Sequence, residues 1–137
     1  MDAAEILRNW ISGCHSCGLN LEEQMKYMLL IYHDEQQFWG LTDEEREQIY
    51  VNYRKFREEI ITSGNYIDGS QLLPVKTANT VRVREGKQLT TDGPFAETKE
   101  QLGGYFLIEA GSQEEASGIA ARIPSAHTGT IEVRPLA

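Results

Sequence analysis

The chain carries few of the marks that place a sequence in a functional class at sight. No stretch of about eighteen apolar residues occurs, so nothing in it reads as a membrane-spanning helix. Lys and Arg number 13 against 21 Asp and Glu, for a formal net charge of −8. A surface of that sign repels phosphate backbones and argues against a nucleic-acid partner. The densest basic cluster, Arg54, Lys55 and Arg57, is followed at once by Glu58 and Glu59, which reads as a solvated, salt-bridged helix face. The N-terminus lacks the basic and then apolar regions of a secretory signal, so the expected location is cytoplasmic. Phosphate-cradling glycine motifs, a nucleophile elbow and HExxH are all absent.

Cysteine is scarce as well. The two residues present, Cys14 and Cys17, form one CxxC in Cys14-His15-Ser16-Cys17. A closed zinc site needs four ligands, and a redox CxxC normally opens a helix, whereas this one follows an expected helix. Free thiols, with no metal and no cofactor, are the expectation.

Residues 1–24 read as a helical arm or extension. Ile6, Leu7, Trp10 and Ile11 fall on one face of a short helix that Ser12-Gly13 ends. The domain proper is expected over 25–137. Met25 to His33 is a nearly continuous apolar run of strand length, as in a strand covered on both faces. Asp34 and Glu35 are expected to stop it, with Phe38-Trp39-Gly40 as a loop. Thr42-Asp43-Glu44-Glu45 is a capping box, and Ile49, Tyr53, Phe56 and Ile60 form the buried stripe of a helix over about 43–62. Gly64-Asn65 is its stop.

A strand is expected over 66–73, with Gly69 hinting at a bulge. Residues 80–91 turn at Glu85-Gly86 and read as a hairpin whose Arg and Lys face water. Strand 104–110, a helix opened by the capping box Ser112-Gln113-Glu114-Glu115 and closed at Pro124, and strand 130–136 complete the chain. The order β-α-β, inserted hairpin, β-α-β is the ferredoxin-like split βαβ plan, an α+β fold. Two helices cover one face of its four-stranded antiparallel sheet. The bare face is expected to pack on a second copy, giving a homodimer.

The most unusual stretch is Asp92-Gly93-Pro94-Phe95-Ala96-Glu97-Thr98-Lys99-Glu100, a tight turn running into a charged loop. With Tyr27-Met28-Leu29-Leu30-Ile31 before it and Ile131-Glu132-Val133-Arg134-Pro135 after it, the chain resembles the DGPF-domain branch of the YCII-related family. The resemblance covers about residues 25–137. It implies a dimeric α+β barrel of ferredoxin-like subunits and says little about a reaction. Some members of the wider group look like lyase-type enzymes with a His–Asp pair whose histidine lies on the domain's first helix. That helix carries no histidine here, and Tyr53 stands at the corresponding place, so the pair does not carry over.

The candidate site residues each have two readings. Asp92 either caps its own turn or sits at a cleft mouth as a general base with a raised pKa. Glu97, Lys99 and Glu100 are a solvated loop, or Glu97 and Lys99 orient a polar ligand. His33 ends the first strand, where it is either a partly exposed histidine or a partner of Asp92 across the sheet. Its neighbour Asp34 points to the opposite face. Tyr32, Trp39, Tyr53 and Tyr105 line either a pocket or a core. Arg134 pairs locally or holds an anionic substrate. The expected site is thus a cleft between subunits lined by Asp92, His33, Tyr105 and Arg134. There a small acidic or polar ligand undergoes proton transfer of lyase or isomerase type. The competing reading is a non-catalytic ligand-binding or regulatory interaction module.

Overall fold

The computed structural model describes residues 24–137. The expected helix with Trp10 and Ile11, and the Cys14–Cys17 pair, lie outside the described residues.

β1 (Met25–His33) is the apolar run read from the sequence. It lies inside a four-stranded antiparallel sheet, paired on one side with β5 (Gln101–Ala110) and on the other with β6 (Thr130–Pro135). β2 (Tyr66–Gln71) pairs with β5 at the edge, so the sheet order is β2-β5-β1-β6. The protein is therefore α+β, with the strand order of the split βαβ path. β3 (Asn79–Arg84) and β4 (Lys87–Asp92) form a two-stranded sheet of their own. Its turn places both Glu85 and Gly86 at positive φ, the pairing that matches strand twist in a two-residue hairpin.

Alternation along β1 sets the core. Tyr27, Leu29 and Ile31 are buried on one face, with Phe106, Ile108 and Ala110 of β5 beside them. Two helices cover this face. α2 (Asp43–Thr62) begins at Thr42, whose hydroxyl accepts the Glu45 amide, and buries Phe56 and Ile60. α3 (Gln113–Ala120) begins at Ser112 in the same way and buries Ala116, Ile119 and Ala120. In this second capping box Glu115 reaches one residue further back than expected, accepting the Gly111 amide at 2.7 Å. The other oxygen of Glu115 accepts from Asn65, the buried polar residue that also donates to the Glu109 carbonyl at 2.8 Å. The Gly64-Asn65 stop of α2 is thereby bonded to both β5 and α3.

Three expectations need correction. Phe38 and Trp39 of the expected Phe38-Trp39-Gly40 loop are helical. Asp34 accepts the amides of Gln36 and Gln37 and so caps a short helix, α1 (Glu35–Trp39). The irregularity in β2 falls between Tyr66 and Asp68, not at Gly69. That extra residue lets Tyr66 and Gly69 both face the helices, with the Phe106 ring lying against Gly69. Pro124 does not close α3, which already ends at Ala120. It opens a 3-10 turn, Pro124–His127.

The opposite face of the sheet has no covering element among the described residues. Met28, Leu30 and Tyr32 of β1 and Tyr105 and Leu107 of β5 are half-buried there, flanked by Asp68, Glu132 and the exposed Arg134.

Candidate functional site

Between α2 and the β2–β5–β1 end of the sheet lies a cavity of about 240 Å³. Roughly eight waters would occupy that volume in the liquid, so it suits a small molecule. Its walls are mainly aromatic and aliphatic, with Phe38, Tyr50, Tyr53 and Phe106 among them. Polar groups enter it at a few places.

His33 stands at one end. Alternation from Tyr27 through Leu29 and Ile31 brings it to the helix-facing side of β1. The capped turn of α1 places Phe38 beside it, ring centroids 5.2 Å apart, and Tyr50 packs on Phe38 at 6.1 Å. On the other side the imidazole lies on Gly103, the extra residue of β5 where its register with β1 shifts between Ile31 and Tyr32. A Cβ at Gly103 would come within 2.5 Å of His33 Nε2, so glycine there is a condition for this ring position. Desolvation lowers the His33 pKa below its ordinary 6.5, outweighing the carboxylates of Glu35, Asp34 and Glu100, which act in the opposite direction. The ring is therefore neutral at pH 7 and can accept a proton.

Tyr53 occupies the wall of α2. Its hydroxyl donates to Ser125 Oγ at 2.5 Å. Burial raises its pKa above the ordinary 10.0, against the lowering effect of its bonds to Ser125. Tyr53 therefore keeps its proton and directs it at Ser125, whose own hydroxyl proton is left to donate into the cavity. At the mouth, Gln71 of β2 donates to the Tyr50 hydroxyl at 3.3 Å, linking sheet and helix. Arg54 and Arg57 also line the cavity.

The other expected site residues lie elsewhere. Asp92 ends β4 on the separate hairpin, where it accepts from Asn79 Nδ2 at 2.9 Å. It is outside the cavity lining and outside the set of carboxylates that act on His33. Glu97 and Lys99 are exposed in the loop after the hairpin, as is Phe95 at 79%. Tyr105 touches the cavity edge, with its hydroxyl 3.5 Å from Asp68 Oδ2. Arg134 is bonded to Glu132 at 2.7 Å on the bare face. The structure brings together His33 and Tyr53, adds Ser125, Tyr50, Gln71 and Arg57, and leaves Asp92 outside.

Arg54 and Arg57 were read from the sequence as a solvated helix face; they and Tyr50 flank the Ile49-Tyr53-Phe56 stripe by one position, where a side chain borders a buried face, and that position is the signal that could have found them. No local signal pointed to Ser125, which reaches Tyr53 across 72 residues of sequence.

An α+β domain with a small, largely apolar cavity against its long helix is the class that fold and cavity define. The YCII-related domain matches residues 25–137, and the chain belongs to that family. It is also 37% identical over 115 residues to an uncharacterized protein of Rhizobium meliloti (strain 1021), covering 82% of this chain and 93% of that protein.

Proposed function

We propose that this YCII-family protein, of the DGPF type, is a homodimer that takes a small organic acid into the α2–sheet cavity and moves a proton on it. The reaction is of lyase or isomerase type and uses side chains alone. His33 is the base. Its neutral imidazole takes a proton from a carbon next to a carbonyl, leaving an imidazolium and an enolate. Ser125 donates its hydroxyl proton to the enolate oxygen, and Tyr53 supports it by donating to Ser125 Oγ. Return of the proton from the imidazolium to a different carbon completes an isomerisation, and loss of a leaving group from the enolate completes an elimination. Asp92 is assigned to ordering the end of the hairpin through Asn79, and the exposed Glu97 and Lys99 to the surface loop.

The single observation that carries this reading is the neutral, half-buried His33 in one small cavity with a protonated Tyr53–Ser125 pair. A site of this composition offers a base and an oxyanion donor together. The dimer rests on the apolar row Met28, Leu30 and Leu107 on a sheet face without cover among the described residues. Two such faces from two copies bury each other as a barrel does.

The test is NMR of His33 ring and Tyr53 signals during titration with small carboxylic acids at millimolar concentration. The expected outcome is saturable movement of both sets of signals by at least one acid, and loss of the His33 response in His33→Gln. Absence of any response across mono- and dicarboxylic acids refutes the site. The non-catalytic reading, which the exposed Phe95 favours, is met instead if acids bind but none exchanges its C–H protons with D2O.

A further inference from the structure

Two arginines line the cavity, and the structure treats them differently. Arg54 is bonded to Glu47 at 3.0 Å and so meets its counter-charge on its own helix. Arg57, one turn further along α2, has no carboxylate partner among the described residues. Its guanidinium rests instead on the Tyr66 ring, 5.2 Å from the centroid. Stacking of this kind fixes the plane of a guanidinium while leaving its N–H groups available. A cation at the wall of a largely apolar site, held by an aromatic face and unneutralised, is the arrangement that recognises a carboxylate through paired hydrogen bonds.

The position of Arg57 along α2 adds a length. Tyr50 marks the His33 end of the cavity, since Phe38 touches both rings. From Tyr50 to Arg57 is seven residues, or about 10 Å of helix. A ligand held at Arg57 and presented at the His33 end therefore carries its carboxylate and its reacting carbon at opposite ends of the molecule.

We infer that Arg57 is the carboxylate-reading residue of this site, and that its substrate is a keto acid whose reactive C–H lies several bonds from the carboxylate, not next to it. This rests on the proton-transfer reading of the same cavity. One end of the molecule is anchored at Arg57 and the other is presented to His33. The carboxylate is a handle and takes no part in the bond changes. Arg57 touches substrate away from the reacting atoms, so it governs affinity more than turnover.

The probes are 4-oxopentanoate, its uncharged amide, and 2-oxopropanoate. Binding is read from the His33 and Tyr53 signals, and chemistry from exchange of C–H for C–D in D2O. The expected result is that 4-oxopentanoate binds at least about tenfold more tightly than its amide, and that its C5 methyl, far from the carboxylate, exchanges faster than its own C3 methylene or the methyl of 2-oxopropanoate. Arg57→Gln removes the tenfold preference and weakens binding while leaving the exchange rate at saturation within about threefold. Lys55→Gln, which deletes the same charge from the same helix outside the cavity, leaves binding unchanged. The assignment of Arg57 is overturned if acid and amide bind alike, if Arg57→Gln keeps the preference, or if Lys55→Gln abolishes it equally. It is overturned also if 2-oxopropanoate exchanges as fast as the longer acid. In all these outcomes the cavity still responds to ligand and the proton-transfer reading survives. Failure of every probe to move either signal removes both.

Discussion

Tyr53 and Ser125 share a 2.5 Å hydrogen bond that ties the middle of α2 to the 3-10 turn leading into β6. The bond closes one wall of the cavity and leaves a phenol whose pKa is raised by burial. Tyr53→Phe keeps the ring against Phe106 and deletes only the hydroxyl. It is expected to cost about 1 kcal/mol of stability, measured by urea unfolding, and to cut C–H exchange by up to roughly 100-fold, because the Ser125 hydroxyl loses the bond that aims it at the oxyanion. Equal exchange in the two proteins would remove Tyr53 from the mechanism.

The pH dependence follows from His33. Its folded pKa is lowered, so the unfolded chain takes the proton first. Above about 6.5 both states hold a neutral ring and His33 contributes nothing. As pH falls below that value the unfolded state is favoured, and the loss levels off below the folded pKa. Relative to His33→Gln, the wild type should therefore lose stability as pH falls through about 6.5 toward the lowered folded pKa. Parallel thermal-unfolding profiles for the two proteins would show that the ring is not desolvated. Exchange activity should rise as pH climbs through the folded pKa and then plateau, and His33→Gln should lower it roughly 10²- to 10⁴-fold.

Gly103 sets where that ring lies. In Gly103→Ala the new methyl would meet Nε2 at 2.5 Å and Cδ2 at 2.7 Å, and a side chain can swing away from such a contact more cheaply than a backbone can. Stability should fall by only about 1–2 kcal/mol, within the range for inserting one carbon into a packed site. Ligand response at His33 should fall by more than tenfold in affinity. A variant that binds acids normally would show that the imidazole position is unimportant.

The bare sheet face is tested by Leu107→Lys. Leu107 is half-buried opposite Met28 and touches no helix face, so a lone subunit should tolerate the change. Two copies should not, because a buried unpaired charge is costly. Analytical ultracentrifugation should show a dimer for the wild type and at least a 100-fold weaker association for the variant, about 3 kcal/mol. A wild-type monomer at micromolar concentration would end the dimer proposal.

How far the chain could be read in advance divides along a physical line. Local rules placed α2 between Thr42 and Gly64, put the hairpin turn at Glu85-Gly86, and sorted Ile131 and Val133 from Glu132 and Arg134, because caps, turns and alternation act within a few residues. They failed just past Asp34, where the side chain that follows the end of the strand also caps a short helix in place of the expected loop. The bulge in β2 was expected at Gly69 and lies at Ile67, since the fit of Tyr66 and Gly69 beneath the helices sets its position.

The sequence by itself determined the α+β element order, the apolar central strand and the presence of two faces on the sheet, since each follows from periodicity and capping along the chain. Only the tertiary structure decided which polar groups meet. Asp92 and His33 were both conspicuous, yet the hairpin carries one into a separate sheet while strand alternation and the Gly103 register shift turn the other into the cavity. Ser125 was inconspicuous and became a partner of Tyr53, because packing of the last turn on α2 depends on contacts that no local pattern encodes.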